Sequence, residues 1–277
     1  MKKLILAIIL LVIIISLLLW GNHHITGTRS QVTPPDETAS AGSDNGTNSG
    51  HPNLPLIDPD ADDDEAVDDG KAIYLTFDDG PSSVSGEILD ILKEYKVKAT
   101  FFMLEPHMKK YPEMLKRMVK EGHGVGMHGV THDKNKFYHS EQTALDEMIK
   151  GQSALESITG VKTELIRTPY GSIPYLLDSY RKVLNEQGFK LWDWNVDSSD
   201  WALSSHKYIN VTIKQIKHIE QSGTTPIVLL HDQAVTAQYL HELLDYLKAN
   251  GYTPKKIRQD TKPYSFTCYD RCRHVKE

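Results

Sequence analysis

From Lys71 onward, short β-branched apolar runs alternate with longer stretches of helical period, and this alternation limits the chain to a small set of folds. Strands are predicted at Ala72–Phe77, Val97–Met103, Gly124–Met127, Glu164–Arg167, Phe189–Val196 and Pro226–Leu230. Helical stretches lie between and after them, near 84–95, 111–121, 141–158, 175–187, 207–221 and 236–249. Gly122, Gly160, Gly188 and Gly251 stand where helices should end. Such alternation implies parallel strands joined by crossover helices. The result is a (β/α) barrel or an open doubly wound sheet, and periodicity does not choose between them. There is no internal repeat.

The first 70 residues read differently. Lys2 and Lys3 precede an apolar run from Leu4 to Trp20, which as a helix would reach about 25 Å, at the short end for spanning a bilayer. The run closes in LLLWGNHH without the small-residue pattern of a cleavage site. Residues 1–20 are therefore expected to be an uncleaved anchor with its amino end in the cytoplasm; the alternative is a cleaved signal and a secreted chain. Residues 21–70 are rich in Ser, Thr, Gly, Pro, Asn and Asp and end in the acidic block ADDDEAVDDG. That composition predicts a disordered linker. The acids lack the spacing of a calcium-binding loop.

Charge follows this division. Residues 1–70 hold 11 acidic and three basic residues, which leaves 28 Lys+Arg against 26 Asp+Glu in 71–277. No large basic field remains for nucleic acid. The two cysteines are too few to build a disulfide scaffold, so 71–277 must fold around an apolar core.

In barrels and open α/β sheets alike, chemistry gathers at the carboxyl ends of the strands. After the first predicted strand come Asp78 and Asp79, in TFDDG; after the third, His128 and His132, in HGVTH. The fourth leads into RTPYG at 167–171, the fifth into DSSDW at 197–201 and the sixth into LLH at 229–231. A core needs none of these polar groups, and burying them unpaired is costly. One Asp and two His suit zinc or a similar divalent ion and leave coordination positions open. A second carboxylate could serve as general base, and a histidine across the pocket could protonate a leaving atom. Together these residues suggest a metal-dependent hydrolase acting on an acyl group.

At these residues the chain resembles the polysaccharide deacetylases of carbohydrate esterase family four, with five motifs in the family's order between 76 and 231. The resemblance implies a distorted (β/α) barrel of about seven units within 71–277. It implies Asp78 as general base, Asp79, His128 and His132 as ligands of one divalent metal (zinc first, cobalt or another ion second) and Arg167 as the residue holding Asp78. Tyr170 would lend its backbone N–H to the oxyanion, and His231 would be the general acid. A carboxylate of DSSDW, Asp197 in preference, would orient that histidine. Trp201 and Leu229 would wall the acetyl methyl, unless they are plain core. The chain departs from the family at Gly129, where Ser or Thr is usual, so a loop-stabilising hydroxyl is missing and a looser metal loop is expected. Thr168 stands where proline is frequent.

The expected function is removal of N-acetyl groups from N-acetylglucosamine in a glycan outside the cytoplasm, peptidoglycan first. Chitooligosaccharide, poly-N-acetylglucosamine and acetylated xylan are the alternatives, and an inactive glycan-binding domain is the non-enzymatic one. The expected partners are the glycan polymer and the membrane, through residues 4–20; no nucleic acid is expected, and the chain should be a monomer. Cys268 and Cys272 could close a small disulfide worth about 2 kcal/mol on the chain-entropy model, or stay as free thiols.

Overall fold

In a computed structural model of the chain, residues 71–203 and 205–275 are described. The expected anchor at 1–20 and linker at 21–70 lie outside them. Among the described residues, no helix is long and apolar enough to cross a membrane.

The strands are β1 (Lys71–Asp78), β2 (Thr100–Met103), β3 (Gly124–Met127), β4 (Leu165–Ile166), β5 (Lys190–Leu191), β6 (Val196–Asp197), β7 (Ile227–His231) and β8 (Tyr252–Lys255). The helices are α1 (Ser85–Glu94), α2 (Glu105–Lys110), α3 (Pro112–Lys120), α4 (Lys134–Phe137), α5 (Glu141–Thr159), α6 (Asp178–Glu186), α7 (Lys207–Gln221) and α8 (Ala234–Ala249). All strand pairs are parallel, as βαβ connections require. The order is β5-β4-β3-β2-β1-β7-β6, with β8 pairing beside the first half of β1. The sheet is thus a curled, open barrel whose free edges are β5 and β6. The predicted strand Phe189–Val196 is in fact those two edges, and Trp192–Asn195 crosses the seam between them.

Side chains alternate along each strand, so each face carries its own core. Ile73, Leu75 and Phe77 of β1, Phe101 and Met103 of β2, and Val228 and Leu230 of β7 pack outward against the helices. The inward set is Phe102, Leu165, Trp192, Ile227 and Ile257, with Tyr74, Trp194 and Tyr264 against it. β3 faces inward with glycines: a Cβ at Gly126 would lie 2.7 Å from the Leu165 carbonyl and 2.9 Å from the Phe102 ring.

Helix ends follow local chemistry. Ser140 and Thr143 form a capping box at the start of α5, and Gly160 ends it at φ 76°, a left-handed conformation that glycine adopts without strain. Cys268 and Cys272 are joined in a disulfide with their Cα atoms 5.4 Å apart.

Candidate active site

The inward face of the sheet carries the site. Following it along β1 gives Tyr74, Thr76 and Asp78; β3 ends at Met127, so His128 is the next inward residue; β4 continues to Arg167; β7 gives Ile227, Leu229 and His231. Asp78 and His231 are register partners on neighbouring strands. They border a cavity of about 550 Å³ with Asp79, His128, His132, Tyr170 and Trp201.

Asp78 is buried, and its Oδ1 accepts a hydrogen bond from Arg167 Nη1 at 2.9 Å. Burial raises its pKa, while the Arg167 charge and hydrogen bond oppose the rise. Arg167 is fully buried and spends its other donors on fixed acceptors: Thr76 Oγ1 at 2.7 Å, the Trp192 carbonyl at 3.2 Å and the Asp193 carbonyl at 3.1 Å. Its guanidinium also stacks 4.4 Å over Phe102.

Asp79 follows at φ 71°, which turns its carboxylate away from β1 toward two imidazoles. His128 Nε2 lies 3.5 Å and His132 Nε2 3.4 Å from Asp79 Oδ1. One ligand atom from each of the three residues falls within 4.8 Å of the others. His128 Nδ1 donates to the Arg167 carbonyl at 2.8 Å, which leaves Nε2 with its lone pair facing the site. Burial lowers the His128 pKa to about 3, so that ring is neutral. Asp79 Oδ1 is buried and has no hydrogen-bond partner among the described residues. An orphaned carboxylate oxygen beside two imidazole nitrogens fits a divalent cation and has no rationale as plain packing.

Two neighbours that the sequence did not single out hold this triad. His107 Nδ1 donates to the Asp79 carbonyl at 2.5 Å. Glu147, on α5, accepts from Val130 N at 2.8 Å, Thr131 N at 3.0 Å and Thr131 Oγ1 at 2.7 Å. Gly129 sits at φ 92° with Glu147 Oε2 3.0 Å from where a Cβ would be. The hydroxyl missing at Gly129 is thus answered by a carboxylate from a helix, and the loop expected to be loose is pinned at three points.

His231 is oriented by Asp200 and not, as the sequence favoured, by Asp197. Asp200 Oδ1 meets His231 Nδ1 at 2.7 Å, and its Oδ2 accepts the His231 N–H at 2.8 Å and Thr236 Oγ1 at 2.5 Å. Asp197 pairs in register with Leu229, and its Oδ1 accepts from Ser199 N at 2.8 Å. The chain then turns at Ser199, φ 56°, and brings Asp200 back beneath the histidine. Burial works against charge on His231, but Asp200, with help from Asp78 and Asp79, pushes its pKa up to about 9.

The remaining predicted residues also border the cavity. Tyr170 sits at φ 64°, and its hydroxyl donates to the His132 carbonyl at 2.9 Å. Leu229 is buried on the inward face, whereas Trp201 is 64% exposed and so is no core residue. Trp194 and Gln233 line the cavity too, unforeseen from the sequence.

The polysaccharide deacetylase family model matches residues 65–192. YheN of Bacillus subtilis (strain 168), named for the same family, is 44% identical over 185 residues, which cover 66% of this chain and 66% of YheN. A peptidoglycan-N-acetylglucosamine deacetylase of Bacillus cereus is 38% identical over 187 residues, covering 66% of this chain and 67% of the relative. Each match therefore takes in about two thirds of the relative's own length. The crystal structure of the polysaccharide deacetylase Bc1974 from Bacillus cereus superposes with a TM-score of 0.63 at 35% identity, over 73% of this chain and 98% of that one.

Proposed function

The chain belongs to the polysaccharide deacetylase family, carbohydrate esterase family four, and from that premise we propose that it hydrolyses the acetamide of N-acetylglucosamine residues in peptidoglycan, releasing acetate and leaving a free amine. One observation carries the reading. A buried carboxylate held by Arg167, a histidine held by Asp200 and an Asp–His–His triad with an unpaired oxygen all face one cavity. The substrate rests on the relatives, among them the peptidoglycan-N-acetylglucosamine deacetylase of Bacillus cereus.

Asp79, His128 and His132 would hold a divalent ion, zinc in first place. When bound, such an ion supplies Lewis acidity to the acetyl carbonyl and makes a nearby water more acidic. Asp78 takes the proton from the attacking water, with Arg167 keeping its carboxylate aimed and opposing the rise in pKa that burial causes. The Tyr170 backbone N–H faces the oxygen on which negative charge gathers. His231, with Nδ1 committed to Asp200, presents Nε2 and delivers its proton to the departing nitrogen. Leu229 and Trp201 flank the methyl group. The same scheme serves chitooligosaccharide, poly-N-acetylglucosamine or O-acetyl xylan. The full set of acid, base and ligand residues disfavours a silent glycan-binding domain.

The catalytic domain would work outside the cytoplasm as a monomer, held to the membrane by residues 4–20. The deciding experiment is acetate release by purified protein from peptidoglycan and N-acetylglucosamine oligomers, after chelation and with zinc or cobalt restored. Metal-restored acetate is expected, and Asp78→Asn should lower turnover by about 10²–10⁴-fold without losing metal. No acetate from any glycan by metal-loaded protein would overturn the proposal.

A further inference from the structure

The chain passes from β5 to β6 across the seam at Trp192–Asn195. Trp192 N still bonds across to Ile166 and Asn195 N to Ile227, but between them, among the described residues, no strand pairs with Asp193. Its N–H donates instead to the Tyr264 carbonyl at 2.8 Å. Tyr264 belongs to a strap that follows β8. Ile257 N–H donates to Thr100 Oγ1 at 2.8 Å, and Gln259 Nε2 to Thr163 Oγ1 at 2.8 Å. After Tyr264 and Phe266, Arg273 N–H reaches the Pro174 carbonyl at 2.8 Å, in the loop behind Tyr170. The strap thus climbs the seam from the starts of the strands to the rim of the cavity.

Asp193 is the junction. It is fully buried, and its carboxylate accepts Ser172 N at 2.9 Å, Ser172 Oγ at 2.5 Å and Phe266 N at 2.7 Å. Ser172 directly follows the RTPYG loop, and Phe266 sits on the strap. On the other side, the carbonyls of Trp192 and Asp193 receive Arg167 Nε and Nη2. The Phe266 ring packs 5.3 Å from Trp194, which lies 5.6 Å from the Arg167 guanidinium and lines the cavity. A seam in need of filling could be closed with apolar side chains; a buried carboxylate with three directed donors fixes positions instead.

We propose that Asp193 is a positioning residue for the base. It locks the strap to the seam, and the locked seam supplies the two carbonyls that keep Arg167 on Asp78. The inference rests on the deacetylase reading of the site. It is tested on the full-length, metal-loaded protein with Asp193→Asn, which keeps the volume but turns an NH₂ toward one of the three donors. Phe266→Pro removes the donor from the opposite side and serves if Asp193→Asn does not fold.

Each variant is expected to lose at least about tenfold in kcat on an N-acetylglucosamine oligomer, with KM nearly unchanged and metal content intact. Deuterium uptake across 165–173 should rise in both. Wild-type kcat with wild-type uptake in either folded variant overturns the proposal, as does a loss of activity that only tracks loss of metal. If wild-type protein releases no acetate from any glycan, the deacetylase reading fails; the uptake comparison then still decides whether the strap positions Arg167.

Discussion

Asp200 applies both carboxylate oxygens to His231, one to the ring and one to the backbone N–H. The pair sets a pH limit. A general acid must carry its proton, and His231, proposed for that role, holds it up to about 9, so activity should persist below that pH and fall as pH rises through it. In Asp200→Asn the main force opposing burial is gone, and the alkaline limb of kcat/KM should move down by about one to two units. An unmoved limb in a pH–rate profile would assign the acid elsewhere. Glu147 makes a different contribution, fixing the loop between two metal-ligand candidates. Glu147→Gln should weaken zinc binding about tenfold in a competitive chelator titration. The principal site residues were legible because each stands directly after an apolar run. Asp200 was not separable from Asp197, since the choice depends on a left-handed turn at Ser199. Glu147 and His107 act from helices far along the chain, and no local pattern marks them.

The two-residue period of the strands does for the site what the helical period does for the core. One face of β1 feeds the helix-packed core with Ile73, Leu75 and Phe77, and the other delivers Asp78. The inward face is narrow at β3, where Gly126 lets the Leu165 carbonyl and the Phe102 ring approach. Gly126→Ala should cost about 1–3 kcal/mol, because the new methyl meets backbone, which cannot step aside as a side chain could. Thermal melting would register this as a drop of several degrees. The six predicted helices agree closely with those observed, as at 207–221, because amphipathic period is a local property, whereas the short α2 and α4 were not predicted. Less legible were the edges. FKLWDWNV reads as one strand, and only the closure of the sheet shows that the chain must leave one edge at Trp192 and rejoin the other at Val196. β8, sequence YTPK, has too little apolar content to announce itself and depends on β1 for pairing.

At the scale of the whole molecule, the parallel sheet gathers the chemistry at one end, and the chain enters at the other. If residues 4–20 anchor it as proposed, full-length protein should sediment with membranes, and a version beginning at Lys71 should not. Protease added to intact cells stripped of wall should remove the catalytic domain; protection would place that domain inside. Lys71 and Asp78 are the two ends of one strand, about 23 Å apart. β1 is flanked by β7 along Tyr74–Asp78, by β8 along Lys71–Tyr74 and by β2 along Thr76–Asp78. If residues 4–20 anchor the chain as proposed, traction reaching Lys71 would load these ladders in shear. Many hydrogen bonds would then have to fail together before Asp78 shifted, so the strand bearing the proposed base is braced by three neighbours against mechanical force.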